Sequence, residues 1–293
     1  MPKILTADTA IQALEEIVIS PSSAMITPTL GVVVATESDK TKADWSYLRQ
    51  IKKFADKYGA EVQIFDVDTT NDAYRAIAEM RDDAKFDGII IISTFLNGND
   101  QYLKNYIPMP LDLDCSSSQS LGHMVCDKSQ TFYRQAPCTA SAVYKLLTYN
   151  NIDVSGKRVG VVGRSTRAGR PTAQLMSMAN ATVTMYHSKS DLSFLKTEDI
   201  VISTVGKPKI LTADLFKSGQ VVVDVGMNYD KETKKFCGDV DYDAVCEVIG
   251  DSGAITPVPN GIGPLTNTIL FSKLFVNAVK IHGGHSPKGA ELC

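Results

Sequence analysis

The run VGVVGRSTRAGRPTAQLM, Val159 to Met176, holds the densest set of residues that could do chemistry. An apolar, strand-forming stretch ends at Gly163. A polar turn then carries Arg164, Ser165 and Arg167, and Gly169, Arg170 and Pro171 open a segment of helical composition. Proline suits a first helical turn, where its missing N–H costs nothing. A helix N-terminus with free N–H groups attracts phosphate, so a strand–turn–helix of this kind suits a dinucleotide. The glycine spacing departs from G-x-G-x-x-G, and a turn of this composition also serves as plain connection. The next apolar stretch, ATVTMYH, ends in His187, Ser188 and Lys189, with no acid before Asp191. Folds that select NAD place Asp or Glu there for the ribose 2′-hydroxyl. With Arg164 and Arg167 in the turn, a 2′-phosphate would be attracted, which favours NADP over NAD. Ordinary solvated loops would carry the same residues.

A second candidate is ITPVPNGIGPLTNTIL, from Ile255. Its prolines stiffen the chain, Gly261 and Gly263 permit unusual dihedrals and close ligand approach, and a helix begins just after. In SYLRQIKKFADKYG, the residues Leu48, Ile51, Ala55 and Tyr58 share one apolar helical face. Lys52 lies off that face, because one residue turns a side chain by about 100° around a helix. The histidines His123, His187, His282 and His285 show neither H-x-x-x-H nor mixed Cys/His ligand spacing, so no metal site is expected. His282 and His285 read as solvated residues of a disordered tail, HGGHSPKGAELC.

The elements that must position these residues alternate between strand and helix, the pattern of an α/β protein with a mainly parallel sheet. In the first half LGVVVA, EVQIFDV and DGIIIIS read as buried strands, with helices over roughly 44–58 and 72–82 between them. The stretch 97–135 is polar and Ser-rich, and reads as connection and site loop. A second series follows: a helix over 140–149, the strand KRVGVVG, a helix from about Arg170, and the strands ATVTMYH, DIVISTV and QVVVDVG. A last long helix covers roughly 263–282.

At 293 residues the chain suits two domains. A formal net charge of −3 gives no broad footprint for nucleic acid or an anionic membrane. The six cysteines lack C-x-x-C pairs and disulfide-rich spacing, which suits reduced thiols. The N-terminus has acids in its first apolar stretch and no signal-peptide pattern, and no run is long enough to span a bilayer, so a cytoplasmic protein is expected.

Three stretches carry a family resemblance. VVGRSTRAGRPTAQLM with ATVTMYHSKS, GDVDYDAV from Gly238, and ITPVPNGIGPLTNTIL resemble, in order, segments of the methylenetetrahydrofolate dehydrogenase/cyclohydrolase family. The resemblance implies two α/β domains with a cleft between them: a Rossmann-like NAD(P)-binding domain over 139–267, and a folate-binding domain over 1–138 plus 268–293. It also implies a final helix that returns to the first domain, a tetrahydrofolate substrate and a homodimer. Pro259, Asn260, Gly261, Gly263 and Pro264 match positions that contact substrate. Gly163, Arg164, Ser165, Ser188 and Met227 match cofactor contacts, and Gly169, Arg170, Pro171 and His187 complete the expected cofactor set. Asn260 replaces a usual glycine, and Asn tolerates positive φ better than most residues.

The first half departs from the family pattern. Tyr47 is present on its helix, but Ile51 stands where a lysine follows four residues later. Ile92 stands where the family has glutamine, Thr94 where it has proline, and Ala140 replaces the proline of a PCTAS-type motif. Asp114 matches the acid that holds the pterin ring, with Cys115 in place of the next glycine. Oxidation of a methylene bridge needs no proton transfer from a side chain, so positioning suffices. Hydrolysis of the methenyl product needs an acid/base group. Ile51 and Ile92 cannot supply one, so the expectation is a dehydrogenase with weak or absent cyclohydrolase activity. Tyr47, Asp114 and Lys52 are its catalytic-side candidates, with Lys52 a stand-in for the lost lysine. The alternatives are a bifunctional enzyme using Lys52 or another group, a non-catalytic folate- or nucleotide-binding homologue, and a dehydrogenase for another small molecule. The loop Pro257–Pro264 argues against the last.

Overall fold

The computed structural model describes residues 1–18, 26–35, 42–92, 100–126, 136–230 and 233–283. The chain divides into two compact units, one of Met1–Ile11 with Thr139–Thr266 and one of Gln12–Cys138 with Asn267–Cys293. The N-terminus departs from the sequence expectation, which kept residues 1–138 together. Strand Lys3–Ile4 pairs in parallel with Ala254–Ile255 and so belongs with the first of these units. Two residues are too few to show a period, and only the tertiary pairing reveals them as a strand.

That unit contains a six-stranded parallel sheet in the order Lys3–Ile4, Ala254–Ile255, Val221–Asp224, Ile200–Ser203, Arg158–Val162, Thr182–Tyr186. Ile200–Ser203 is buried throughout, as an inner parallel strand must be, which explains its unbroken apolar reading. From Arg158–Val162 the chain passes through helix Gly169–Met178 to Thr182–Tyr186 on one side. It then crosses to Ile200–Ser203 on the other side. Such a reversal of strand order opens a crevice at the carboxyl ends of the two strands, where open α/β sheets take their ligands.

The other unit is built on three parallel strands, with Thr29–Ala35 between Glu61–Val67 and Phe86–Ile91. Helix Thr70–Asp82 is capped by Thr69, whose hydroxyl accepts from Asp72 N at 3.1 Å. It buries Ala73, Ala76, Ile77 and Met80, an i, i+3, i+4, i+7 face. Helix Lys42–Tyr58 buries Leu48, Ile51 and Ala55 as the spacing predicts. Each such large aliphatic contributes roughly 1.5–3 kcal/mol by leaving water. Helix Ile262–Ile281 is buried on nearly every side, which accounts for its lack of a polar face. In this unit Asn277 Nδ2 on that helix donates to Asp87 O at 2.6 Å and to Pro110 O at 2.8 Å.

The stretch 97–135 is less irregular than its composition implies. Its described residues form helices Asp100–Tyr106 and Ser118–Cys126, while 97–99 and 127–135 lie outside the described residues. Ser118–Cys126 buries only Ser120 and Met124, so no apolar period announces it. Thr94 and the tail from residue 284 also lie outside the described residues. Among the described residues, no helix is long and apolar enough to cross a membrane.

Candidate active site

Gly163 follows strand Arg158–Val162 at the point where strand order reverses. Its φ is +113°, and a Cβ there would lie 2.5 Å from Thr204 Oγ1 and 2.8 Å from Thr204 O. Thr204 in turn donates from its N to Val162 O at 2.8 Å, which locks the two strand ends together. Only glycine permits this backbone. Gly169 and Pro171 are buried at the start of the next helix, with Gly169 packed on Gly163 O.

The helix entrance differs from expectation in one respect. Ser165 Oγ accepts from Ala168 N at 3.2 Å and Gly169 N at 3.3 Å, and Ser165 O accepts from Arg170 N at 3.0 Å. The turn therefore caps its own helix, and these N–H groups are not open to a phosphate. The exposed guanidinium groups of Arg164, Arg167 and Arg170 remain as anion-binding groups at this turn. Beyond Thr182–Tyr186, half-buried His187 accepts from Lys189 N on Nδ1 at 3.1 Å, and Ser188 and Lys189 are exposed. Asp191, the nearest following acid, is committed to capping Ser193 N at 2.9 Å, and these bonds to Ser193 hold its carboxyl below the usual range. This end of the sheet thus presents Ser188 and Lys189 ahead of the first acid, Asp191, and the turn fits a dinucleotide bearing an extra phosphate.

Two buried carboxylates hold the neighbouring loops. Asp239 Oδ2 accepts from Ser203 Oγ at 2.8 Å and Val205 N at 2.7 Å. Its Oδ1 accepts from Gly206 N and Lys207 N, each at 3.0 Å, and from Asn228 Nδ2 at 2.8 Å. Asp224 accepts from Gly226 N at 2.9 Å, Asp239 N at 3.1 Å and Val240 N at 2.9 Å. Burial pushes Asp224 up to about 6, against the pull of these donors. Gly238 brings the backbone against Asp224, since a Cβ there would lie 1.9 Å from Asp224 Oδ2. Neither carboxylate was singled out from sequence; GDVDYDAV contains Asp239, and Asp224 lies in the strand QVVVDVG.

Met227 is 50% exposed, and a Cβ on Gly263 would lie 3.8 Å from its Cε. The structure thus brings the Asp224–Met227 turn beside the Pro257–Pro264 loop. In that loop the Val258–Pro259 peptide is cis, and Pro259 and Asn260 are exposed while Pro264 is half-buried. The unusual dihedral falls on Asn260, with φ +79°, and not on Gly261 or Gly263 as expected. Gly261 is needed for packing instead, because a Cβ there would lie 2.5 Å from Pro257 O.

In the other unit Asp114 is half-buried, and its Oδ1 accepts from Cys138 N at 3.3 Å. Asp112 braces the same segment by accepting from Ser116 N, Ser117 N and Ser120 Oγ. Tyr47 is half-buried. Ile51 has no exposed surface and Ile92 is 3% exposed, so both are core residues. Lys52 is exposed and off the buried face of its helix. His282, expected to be solvated, places Nε2 3.1 Å from Asp87 Oδ1. His285 and Cys293 lie outside the described residues. The other five cysteines are free thiols. Among the described residues no group of three or more His, Cys, Asp or Glu could hold a metal.

Residues 137–282 match the family described as "Tetrahydrofolate dehydrogenase/cyclohydrolase, NAD(P)-binding domain". The "Bifunctional protein FolD" of Staphylococcus aureus (strain Newman) is 36% identical over 252 residues, covering 84% of either chain. The chain belongs to the tetrahydrofolate dehydrogenase/cyclohydrolase family. The crystal structure of the bifunctional FolD from Campylobacter jejuni superposes with a TM-score of 0.85 at 26% identity, over 96% of this chain and 99% of that one. The Trypanosoma brucei dehydrogenase-cyclohydrolase, solved with NADP cofactor and inhibitor, gives 0.83 at 25% identity over 95% and 97%.

For this family member the charge pattern beyond Thr182–Tyr186 predicts a cofactor switch. Ser188→Asp is expected to raise the KM for NADP about tenfold and leave that for NAD within about twofold, by placing a carboxylate beside a 2′-phosphate. Steady-state kinetics with both nucleotides measures it. Equal effects on the two would remove the exposed turn from cofactor selection.

Proposed function

We propose that the chain oxidises 5,10-methylenetetrahydrofolate to 5,10-methenyltetrahydrofolate with NADP, and that its cyclohydrolase activity is weak or absent. The single observation behind the second part is that Ile51 and Ile92, which the family resemblance matches to a lysine and a glutamine, are buried apolar residues. Bound at the Gly163–Pro171 turn, NADP would supply the oxidant. The chain's own residues then have to orient two carbons toward one another. Gly163, Arg164, Ser165, Arg170, His187 and Ser188 would hold the nucleotide. Met227 and the 259–264 loop would line the reacting end, and Asp114 with Tyr47 would bind and orient the pterin.

No side chain has to move a proton in the oxidation, because the two substrate nitrogens stabilise the cation that forms. Hydrolysis of the methenyl product differs, since water must be activated and protons relocated. Lys52 is a poor stand-in: it leaves its helix on the solvent side. On the family resemblance, the working form is a cytoplasmic homodimer.

A paired assay tests the reading. Purified protein is expected to reduce NADP with methylenetetrahydrofolate and to leave methenyltetrahydrofolate at its spontaneous hydrolysis rate. Hydrolysis well above that rate would sink the monofunctional reading. The bifunctional alternative is favoured by the similarity to the bifunctional protein of S. aureus, and it would make Lys52 the first residue to mutate. Neither activity, in folded protein that binds NADP, would mean a non-catalytic homologue.

A further inference from the structure

Lys273, on helix Ile262–Ile281, is 7% exposed. Its ammonium donates to Ala136 O at 2.6 Å, to Leu113 O at 3.3 Å and to Cys115 Sγ at 3.6 Å. A buried ammonium is expensive unless paired and hydrogen-bonded, so its three partners are the place to look for its purpose. Leu113 and Cys115 are the residues on either side of Asp114. Ala136 lies two residues before Cys138, whose N–H donates to Asp114 Oδ1 at 3.3 Å. One cation therefore fastens both stretches of chain that meet at the Asp114 carboxylate.

The ionisable groups facing this point are Asp112, Asp114, Cys115 and Cys138. Asp112 is already occupied by the serines that follow it. Burial pushes the Cys115 thiol up to about 11 and raises Cys138 as well, so both are neutral thiols at ordinary pH. Burial alone would lower Lys273; with both thiols neutral, the nearby Asp114 carboxylate and the two carbonyl acceptors are what favour its charged form. Cys115 takes a φ of +49°, a left-handed conformation that is strained for a non-glycine residue. The Lys273 contacts to its sulfur and to Leu113 O, two residues earlier, hold the backbone there.

We propose that Lys273 is the positioning residue for Asp114, holding its backbone from both sides and serving as its counter-charge for pterin binding. The inference rests on the reading of Asp114 as the pterin-binding carboxylate.

Full-length Lys273→Gln, Lys273→Arg and Asp114→Asn proteins test it, with methylenetetrahydrofolate and NADP as substrates. Lys273→Gln is expected to raise the folate KM about tenfold and leave the NADP KM within about twofold. It should also move the acid limb of kcat/KM for folate up by about one pH unit, because a carboxylate that loses its cation is easier to protonate. Lys273→Arg keeps the charge and is expected to keep the limb in place. A lysine that only stabilises the fold would lower the melting temperature without moving that limb. A folded Lys273→Gln protein with unchanged folate KM and pH profile overturns the proposal. If that variant does not fold, a displaced limb in Lys273→Arg overturns it, and a limb that stays put supports it. Asp114→Asn separates the two layers: unchanged folate KM there removes the reading of Asp114 itself, whereas a large loss there with a silent Lys273→Gln removes only the role of Lys273.

Discussion

Gly163→Ala is expected to lower kcat/KM for NADP about 100-fold and to destabilise the chain by roughly 2–4 kcal/mol. Two effects combine. A φ of +113° lies where an L side chain is strained regardless of space. The added methyl would also sit 2.5–3.0 Å from the side chain and backbone of Thr204. Thr204 cannot yield alone, because its N–H and hydroxyl both bond Val162 O on the adjacent strand. Relief must spread the two strand ends at the switch point, where the nucleotide is expected to lie. Gly156→Ala provides the control: φ there is +71° and nothing lies within 4 Å, so only conformational strain of about 1 kcal/mol should appear. NADP titration and denaturant unfolding of both variants measure the outcome. An unaltered NADP affinity in folded Gly163→Ala would take the nucleotide away from this turn.

Asp239→Ala should have the largest effect on stability, a loss of roughly 3–5 kcal/mol and a melting temperature lower by about 10 °C. The carboxylate is fully buried and accepts five hydrogen bonds, three of them from the consecutive backbone N–H groups of Val205, Gly206 and Lys207. Removing it leaves those donors, Ser203 Oγ and Asn228 Nδ2 without their acceptor, and each buried orphan costs about 1–3 kcal/mol. Water entering the vacated space would recover part of that. Asp239→Asn should fall between, since its amide carbonyl can serve one side of the site while its NH₂ opposes the other donors. Thermal melts and NADP binding check both. A melting temperature within about 2 °C of wild type for Asp239→Ala would show that the loops stand without the carboxylate.

The parts of this protein legible in the sequence are those carried by local period and turn chemistry. The apolar runs at 30–35, 200–203 and 221–224 were legible as strands, because a strand covered on both faces has no polar alternation. The Leu48, Ile51, Ala55 face identifies its helix from spacing alone and puts Lys52 in solvent. The strand–turn–helix around Gly163 was legible from its apolar run, glycines and proline, although Ser165 closes part of the helix entrance that the pattern left open.

Tertiary structure decided whatever depends on partners distant in the chain. Lys3–Ile4 became a strand only by pairing with Ala254–Ile255. Asp224 and Asp239 read as two acids among many, and their role exists only once five donors from two segments, 203–207 and Asn228, converge on one of them. Nothing in the local sequence marks Lys273; folding places it against carbonyls and a sulfur about 140–160 residues away. Periodicity along the chain reports which face of an element is buried, whereas the pairing of a buried polar group is set by the three-dimensional path that brings its acceptors to it.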